Sequence, residues 1–599
     1  MEKPIAFVMQ LTIFQRKRFF SFLPYLLFTL ITFVYFGWFA EYIFFYQEKL
    51  TLFLTSFSFL WENFSQPGGF LNYLATFLTA FYRYEILGAA LLSLTLLLVV
   101  WFLALIGKKI AGKPVYLFPF LIGAGLLFLH AHYQFQLVIS MGILLQLIWF
   151  YVAIRFFRVR WSWLPVLLFP AWYFLTGGFA WVFLLMYSLF LVTEPGNNRW
   201  LRVGLLLLVT FLTFFISKEY LFFETTDTLL QYPFSPMNAG MQVIELSLVA
   251  GLVAVFPLLF KIKFQFFKRP GTGKFNWYQL SPFFVLLILA GALTQRIDSK
   301  NSHYFHVAKL FYERKFDEIV SFNKTFPTTN KLTLFLNNLA LAETGQLTER
   351  LFEFPQSPDG ETLFLKWETM GEVLRRGGHF YYTVGLVNEA HRWAYEYMVM
   401  RGFTPEGLKM LIKTELINGN YEVASKYINI LNQSLFYRRE AREFEKMLNN
   451  DEAVNLHPEL GLKKRLKPKV DFFVLSDAPA ANLEPLIEAD SANAFAVEYQ
   501  FAWLLLQKDV QAVAAHLPLL EKAGYNRMPR SIDEAATGFK LLNMGEFPQM
   551  EYLRTNSSTE QRFRQYYQLF QQNSNSREQA QRALYPQFSH SFWYYLFFN

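Results

Sequence analysis

Acidic residues are scarce in the first half of this chain, and their placement is its first chemical signal. Residues 1–296 hold ten carboxylates: Glu2, Glu41, Glu48, Glu62, Glu85, Glu194, Glu219, Glu224, Asp227 and Glu245. Seven of the ten fall in two stretches, 41–85 and 217–239, and Glu245 lies inside an apolar run just beyond the second. An ionisable group in or beside hydrocarbon is expensive and tends to mark a working position. There a carboxylate can deprotonate or orient a hydroxyl, and a nearby cation can stabilise a departing anion. The cations of the two stretches are Lys49, Arg83 and Lys218. Glu41, in Trp38-Phe39-Ala40-Glu41-Tyr42, stands where the first apolar run ends. Its plainer role is an interfacial anchor, or a salt bridge to Lys49 or Arg83.

Other chemistries leave no trace. The chain has no Walker loop, no dinucleotide glycine fingerprint, no His-Glu-x-x-His and no Gly-x-Ser-x-Gly, which disfavours nucleotide-driven and serine-hydrolase activity. Zero cysteines remove disulfides and thiolate catalysis. The nine histidines are scattered, and the pair His130 and His132 falls short of a metal site, so interfacial hydrogen bonding is its expected role. Neither a metal nor another cofactor is expected.

The elements that position these residues are apolar runs. A bilayer crossing takes about 20 apolar residues, and segments near that length lie at about 19–40, 86–107, 115–130, 137–154, 162–175, 178–193, 203–217, 240–260 and 279–296. That makes about nine spans, with the pair around Thr176-Gly177-Gly178 the shortest. Basic clusters (Arg16-Lys17-Arg18, Lys108-Lys109, Arg155 with Arg158 and Arg160, Arg199 with Arg202, and Lys261 to Lys274) fall in alternate connections. They amount to 17 Lys and Arg on one side against Lys49, Arg83 and Lys218 on the other. Positive loops stay in the cytoplasm, so the expected topology is a cytoplasmic N-terminus in a bacterial inner membrane and a periplasmic segment after Arg296. The first apolar run is too long for a cleaved signal peptide and reads as an anchor. Outer loop 41–85 contains two apolar patches, 50–61 and 70–82, split by Ser65-Gln66-Pro67-Gly68-Gly69. Such patches read as helices lying along the membrane. In loop 217–239, Pro and Gly argue against a continuous helix.

Residues 1–296 carry a net +11 and residues 297–599 a net −2. The sequence pI of 9.2 therefore records membrane topology and gives no reason to expect nucleic acid. The 297–599 domain reads as all-α. Stretches 311–327 and 416–431 share a grammar of helix, short turn, and an aromatic opening the next helix, with fainter versions at 343–354, 505–520 and 542–553. This resembles tetratricopeptide-type repeats, which would offer surfaces to protein partners. The aromatic end Phe592–Phe598 is expected to cap the last repeat, the alternative being a foot at the membrane interface. Asn388, Arg392 and Glu396, at four-residue steps, would share a helix face in a buried structural network.

Two resemblances add to this. The layout of residues 1–296 is similar to glycosyltransferases of the GT-C type, which take sugars from polyprenyl-phosphate carriers. That resemblance implies Glu41 or Glu48 as the catalytic base, and Arg83, Lys218, Glu219, Asp227 and Glu245 around the substrate. This chain departs from the type in lacking an Asp-Glu or Asp-x-Asp pair, since Asp227 is the one Asp of that region. The stretches Gly377-Gly378-His379-Phe380-Tyr381, Asn388 to Glu396, Thr404-Pro405 and Asn418-Gly419-Asn420-Tyr421, with Gln66-Pro67-Gly68-Gly69, resemble an uncharacterised family of multipass envelope proteins of Bacteroidota. Two functions stay open: sugar transfer from a lipid carrier, or a non-catalytic scaffold recruiting partners of an envelope assembly or secretion complex. A transporter using Glu245 ranks third.

Overall fold

The computed structural model describes residues 21–157, 163–193, 199–234, 243–261, 277–368, 371–470, 472–574 and 576–598. Arg16-Lys17-Arg18, Arg158, Arg160, Glu194, the end of loop 217–239 and the basic run 263–274 lie outside them, as does Glu2. The described residues are helical, without strands. The chain forms two compact units, Met1–Asp298 and Ser299–Asn599.

Among the described residues of the first unit six helical stretches are long and apolar enough to cross a membrane by length and composition alone: Ser21–Phe39, Glu85–Ala111, Leu137–Phe156, Phe169–Thr193, Arg199–Leu221 and Val243–Phe260. A seventh counts if Leu280–Thr294 is taken with the helix after it. Glu85–Ala111 shows why such a run forms. Its interior lacks proline, Glu85 opens it, and Lys108 and Lys109 close it, each charge opposing the helix dipole. The nine expected spans become six to seven by length, because Leu117–His130 has only 14 residues, the expected pair 162–175 and 178–193 forms one stretch, Phe169–Thr193, and Leu280–Thr294 counts only with the helix after it.

The stretch 169–193 is not one rod. Gly177 sits at φ +58, and the Trp181 ring lies 6.3 Å from Phe169 and 5.5 Å from Tyr173. Along a straight helix, residues 169 and 181 would stand about 18 Å apart. The chain therefore doubles back at Gly177-Gly178, in the hairpin the sequence suggests. Its limbs Phe169–Thr176 and Ala180–Thr193 are 8 and 14 residues long, shorter than a full crossing.

The second unit is built of helix pairs closed by a recurring turn. After each first helix a residue takes positive φ, and the next N–H reaches a carbonyl five residues back. This happens at Arg314, Gly345, Gly385, Gly419 and Lys508, with bonds such as Lys315 to Leu310 (2.9 Å) and Asn420 to Glu415 (3.0 Å). The closure satisfies carbonyls that a helix end leaves unpaired. Stretches 311–327 and 416–431 are such pairs: Ser299–Tyr312 with Phe316–Thr325, and Pro405–Asn418 with Tyr421–Asn432. Stretch 542–553 is not, for no helix forms between Leu541 and Ser557. Helix Phe592–Phe598 docks inward. Phe592, Trp593, Tyr594 and Tyr595 are buried, and Trp593 Nε1 donates to the Glu534 carbonyl at 2.7 Å. It caps the unit and is no foot.

Candidate functional site

Most of the residues picked out by charge sit on the short elements between the long helices. The Ser21–Phe39 helix finishes in a π turn, Tyr35–Phe39, and the exposed Glu41 precedes helix Tyr42–Leu50. A π turn is rare and recurs at working positions. Tyr42–Leu50 is buried. Phe44 packs on Tyr82 at 4.6 Å, and Gln47 donates to the carbonyls of Tyr133 (3.1 Å) and Phe135 (2.9 Å). Glu48 is sealed beneath, its carboxylate 2.6 Å from Lys49 Nζ, with both side chains at most 5% exposed. Arg83 is exposed, on a turn that packs against Tyr42–Leu50.

The other loop starts from a second π turn, Ser217–Leu221. Lys218 and Glu219 are exposed and 3.9 Å apart, a separation that contributes little in water. Asp227 is exposed in the first turn of Thr226–Gln231. Glu245 occupies the first turn of Val243–Lys261, and its Oε2 is buried with no hydrogen-bond partner among the described residues.

The two loops meet at the hairpin, and glycine makes the meeting. Gly68 N–H donates to the Phe174 carbonyl, and Gly178 N–H to that of Tyr232, both at 2.8 Å. Tyr173 Oη reaches the Leu229 carbonyl at 2.7 Å, and Trp181 Nε1 that of Leu230 at 2.8 Å. A Cβ on Gly177 would lie 2.2 Å from the Tyr232 carbonyl oxygen, and one on Gly68 2.6 Å from Pro233 Cδ. Main chain touches main chain here, which only glycine permits. Beside this seam lies a groove of about 410 Å³, lined by Tyr173, Phe174, Val209, Thr213, Ser217 and Phe222 among others. None of Glu41, Glu48, Arg83, Lys218, Glu219, Asp227 and Glu245 lines it. The fold brings the two loops together through their backbone.

Charge reasoning missed two features. The Gly68–Gly177–Gly178 seam was signalled only by the two Gly-Gly steps. The second is a cluster near the Tyr35 turn: Tyr35 Oη donates to the Arg296 carbonyl at 3.3 Å, and Arg296 lies over the Phe128 ring at 4.1 Å. Burial, then Arg296, lowers the His132 pKa, while burial, then Asp298, raises that of Tyr42. His130 is buried and 2.7 Å from Ser140 Oγ. Among the described residues no group of three or more His, Asp or Glu is placed to hold a metal ion.

In the second unit charge is buried in pairs. Glu406 takes Arg375 at 2.7 Å, Arg376, and His379 at 3.2 Å. Glu459 takes Arg314 at 2.9 Å and Lys413 at 2.7 Å. Burial alone would raise Glu459, but Lys413 and Arg314 outweigh it and hold its carboxyl at about 2. Lys463, fully buried, reaches Glu343 at 2.7 Å. Of these groups Arg314, Glu343, His379, Glu406, Lys413 and Glu459 wall a cavity of about 250 Å³. The expected Asn388–Arg392–Glu396 face is corrected: Asn388 and Arg392 are exposed, and the buried hub is Glu389. It accepts from Arg392, from Trp393 Nε1 at 3.0 Å and from Ser476 Oγ at 2.7 Å. Spacing could not reveal it, because the donor Ser476 lies 87 residues away.

Fold and sites together define a multipass-type helical membrane protein joined to a unit of helix pairs. From residue 16 to 599 the chain matches the sequence model described as Family of unknown function (DUF6057), and it belongs to that family. No curated protein and no solved structure matches it.

Proposed function

We propose that this chain is a non-catalytic scaffold of the bacterial envelope. An inner-membrane bundle holds a tetratricopeptide-like unit in the periplasm, where it gathers partners of an assembly or secretion complex. The observation that carries this reading is the glycine seam. The two loops close on each other through main chain, and the groove beside that seam is lined by apolar and hydroxyl side chains and by none of the seven charged candidates. The basic asymmetry of the connections supports the orientation. Alkaline phosphatase fused after residue 599 is expected to be active and fused within 261–277 inactive; the reverse would overturn the topology. Glu41→Gln, Glu48→Gln and Arg83→Ala should leave envelope glycans unchanged, while deletion of 297–599 abolishes function.

One observation favours the second reading, GT-C-like transfer from a polyprenyl-phosphate-linked sugar. Glu41 is exposed at the head of the 41–85 layer, and an apolar groove opens at the other loop's π turn. With Glu41 as base, Glu41→Gln would cut transfer by about 10²–10⁴ without unfolding the protein.

A further inference from the structure

In the second unit the run Lys463-Lys464-Arg465-Leu466-Lys467-Pro468-Lys469 is followed by Val470-Asp471-Phe472-Phe473-Val474-Leu475, a stretch with one acidic residue against five basic ones. Lys463 is spent in the core on Glu343. The others face outward in whole or part. Arg465 and Lys469 are exposed, Lys464 reaches the exposed Asp451, and Lys467 bonds to Asn418 at 2.8 Å. Lys469 and Val470 lie in a bend, 472–475 is irregular, and Val470, Phe473 and Leu475 are 73%, 86% and 44% exposed.

This exposure is held in place. Leu475 N–H donates to Asn482 Oδ1, and Asn482 Nδ2 donates back to the Leu475 carbonyl, both at 2.8 Å. Ser476 Oγ is fixed on Glu389, and Trp367 N–H donates to the Ser476 carbonyl at 3.3 Å. Phe472 and Phe473 line a cavity of about 660 Å³ together with Trp367, Asn388, Glu389 and Arg392, and Phe473 keeps most of its surface exposed. A large ring kept in water loses the gain of burial, and exposed apolar patches mark contact surfaces. Basic side chains next to apolar ones complement a bilayer with anionic headgroups, where aromatic rings also settle. Such a bilayer is always at hand, because the same chain carries membrane-crossing helices.

We infer that residues 464–470 and 472–475 form a lipid-contacting surface. Val470, Phe473 and Leu475 enter the membrane interface, while Lys464, Arg465, Lys467 and Lys469 lie against anionic headgroups. The contact is independent of whether the chain is a scaffold or an enzyme.

The absence of cysteine makes the test clean. Full-length Phe473→Cys carries one environment-sensitive dye and is reconstituted in vesicles of phosphatidylcholine, with or without phosphatidylglycerol. Emission should shift to the blue, and quenching by spin-labelled lipid should appear, when phosphatidylglycerol is present. High salt should weaken both. The same dye on Tyr585→Cys, 61% exposed in another helix, should remain water-like. Replacing Lys464, Arg465, Lys467 and Lys469 by Gln should abolish the phosphatidylglycerol dependence. Lys469→Glu alone, a change at an exposed position, should reduce it. A water-like signal from residue 473 in both vesicles overturns the inference, whether the true occupant is a protein or solvent. An equal shift in both, unchanged by the Gln replacements, overturns the anionic surface.

Discussion

The two units solve the same problem, the burial of polar groups, by opposite means. In the membrane unit the closest joint is made of backbone: Gly68, Gly177 and Gly178 let main chains touch and exchange hydrogen bonds. In the second unit distant helices are joined by buried charge, Glu406 with Arg375 and Arg376, Glu459 with Arg314 and Lys413, Lys463 with Glu343. Where lipid surrounds a bundle, every polar group must be satisfied internally, and a peptide pair does so without carrying charge. Where water is near, a charge can be buried if a partner comes with it. Glu48–Lys49 is a buried charge pair of the membrane unit, and it is made by chain neighbours.

The comparison breaks first at Gly177. A Cβ there meets the Tyr232 oxygen at 2.2 Å and φ is +58, so Gly177→Val should cost more than about 3 kcal/mol. Fluorescence-detected size exclusion after heating should show the loss. Gly419→Ala is the counterpart in the second unit. Its φ is +76 but nothing lies within 4 Å, so the cost should be only about 1 kcal/mol. If both behaved alike, the seam would be ordinary packing.

Lys463→Met, next in size, leaves the largely buried Glu343 side chain with only Thr383 and the more distant Arg314 among the described residues and should cost about 3 kcal/mol, while Lys463→Met with Glu343→Leu should recover much of it. Hydrogen exchange in helix Pro458–Leu466 reports both.

Glu498 sharpens the comparison through pH. Burial pushes its carboxyl up to about 8. Between its ordinary range and that value the folded chain keeps a proton that the unfolded chain has released. Stability therefore falls as pH rises. Glu498→Gln should stabilise by roughly 3 kcal/mol at pH 8 and by less than about 1 kcal/mol at pH 5, read from melting temperature against pH. Glu41→Gln should change stability least, by no more than about 0.5 kcal/mol, because the side chain is exposed.

Much of this molecule was legible residue by residue. Apolar runs predicted the long helices, and Gly177-Gly178 predicted a reversal. The turn grammar at 311–327 and 416–431 predicted helix pairs. The grammar failed at 542–553, where apolar residues recur without a second helix. Span counting failed where helices are short, as at Leu117–His130, since composition alone does not set where a helix stops.

For the candidate site, sequence determined which residues are chemically able: the few carboxylates and cations beside hydrocarbon, and the helical elements that carry them. Periodicity and composition are local, so one chain suffices to read them. Only the tertiary structure decided which able residues are available. It sealed Glu48 against Lys49, left Glu41 exposed, and made Glu389 a hub through Ser476. It also buried the aromatic C-terminus and exposed Phe473. These outcomes rest on contacts between residues far apart in the chain, where burial and charge pairing are settled by whichever surface arrives opposite.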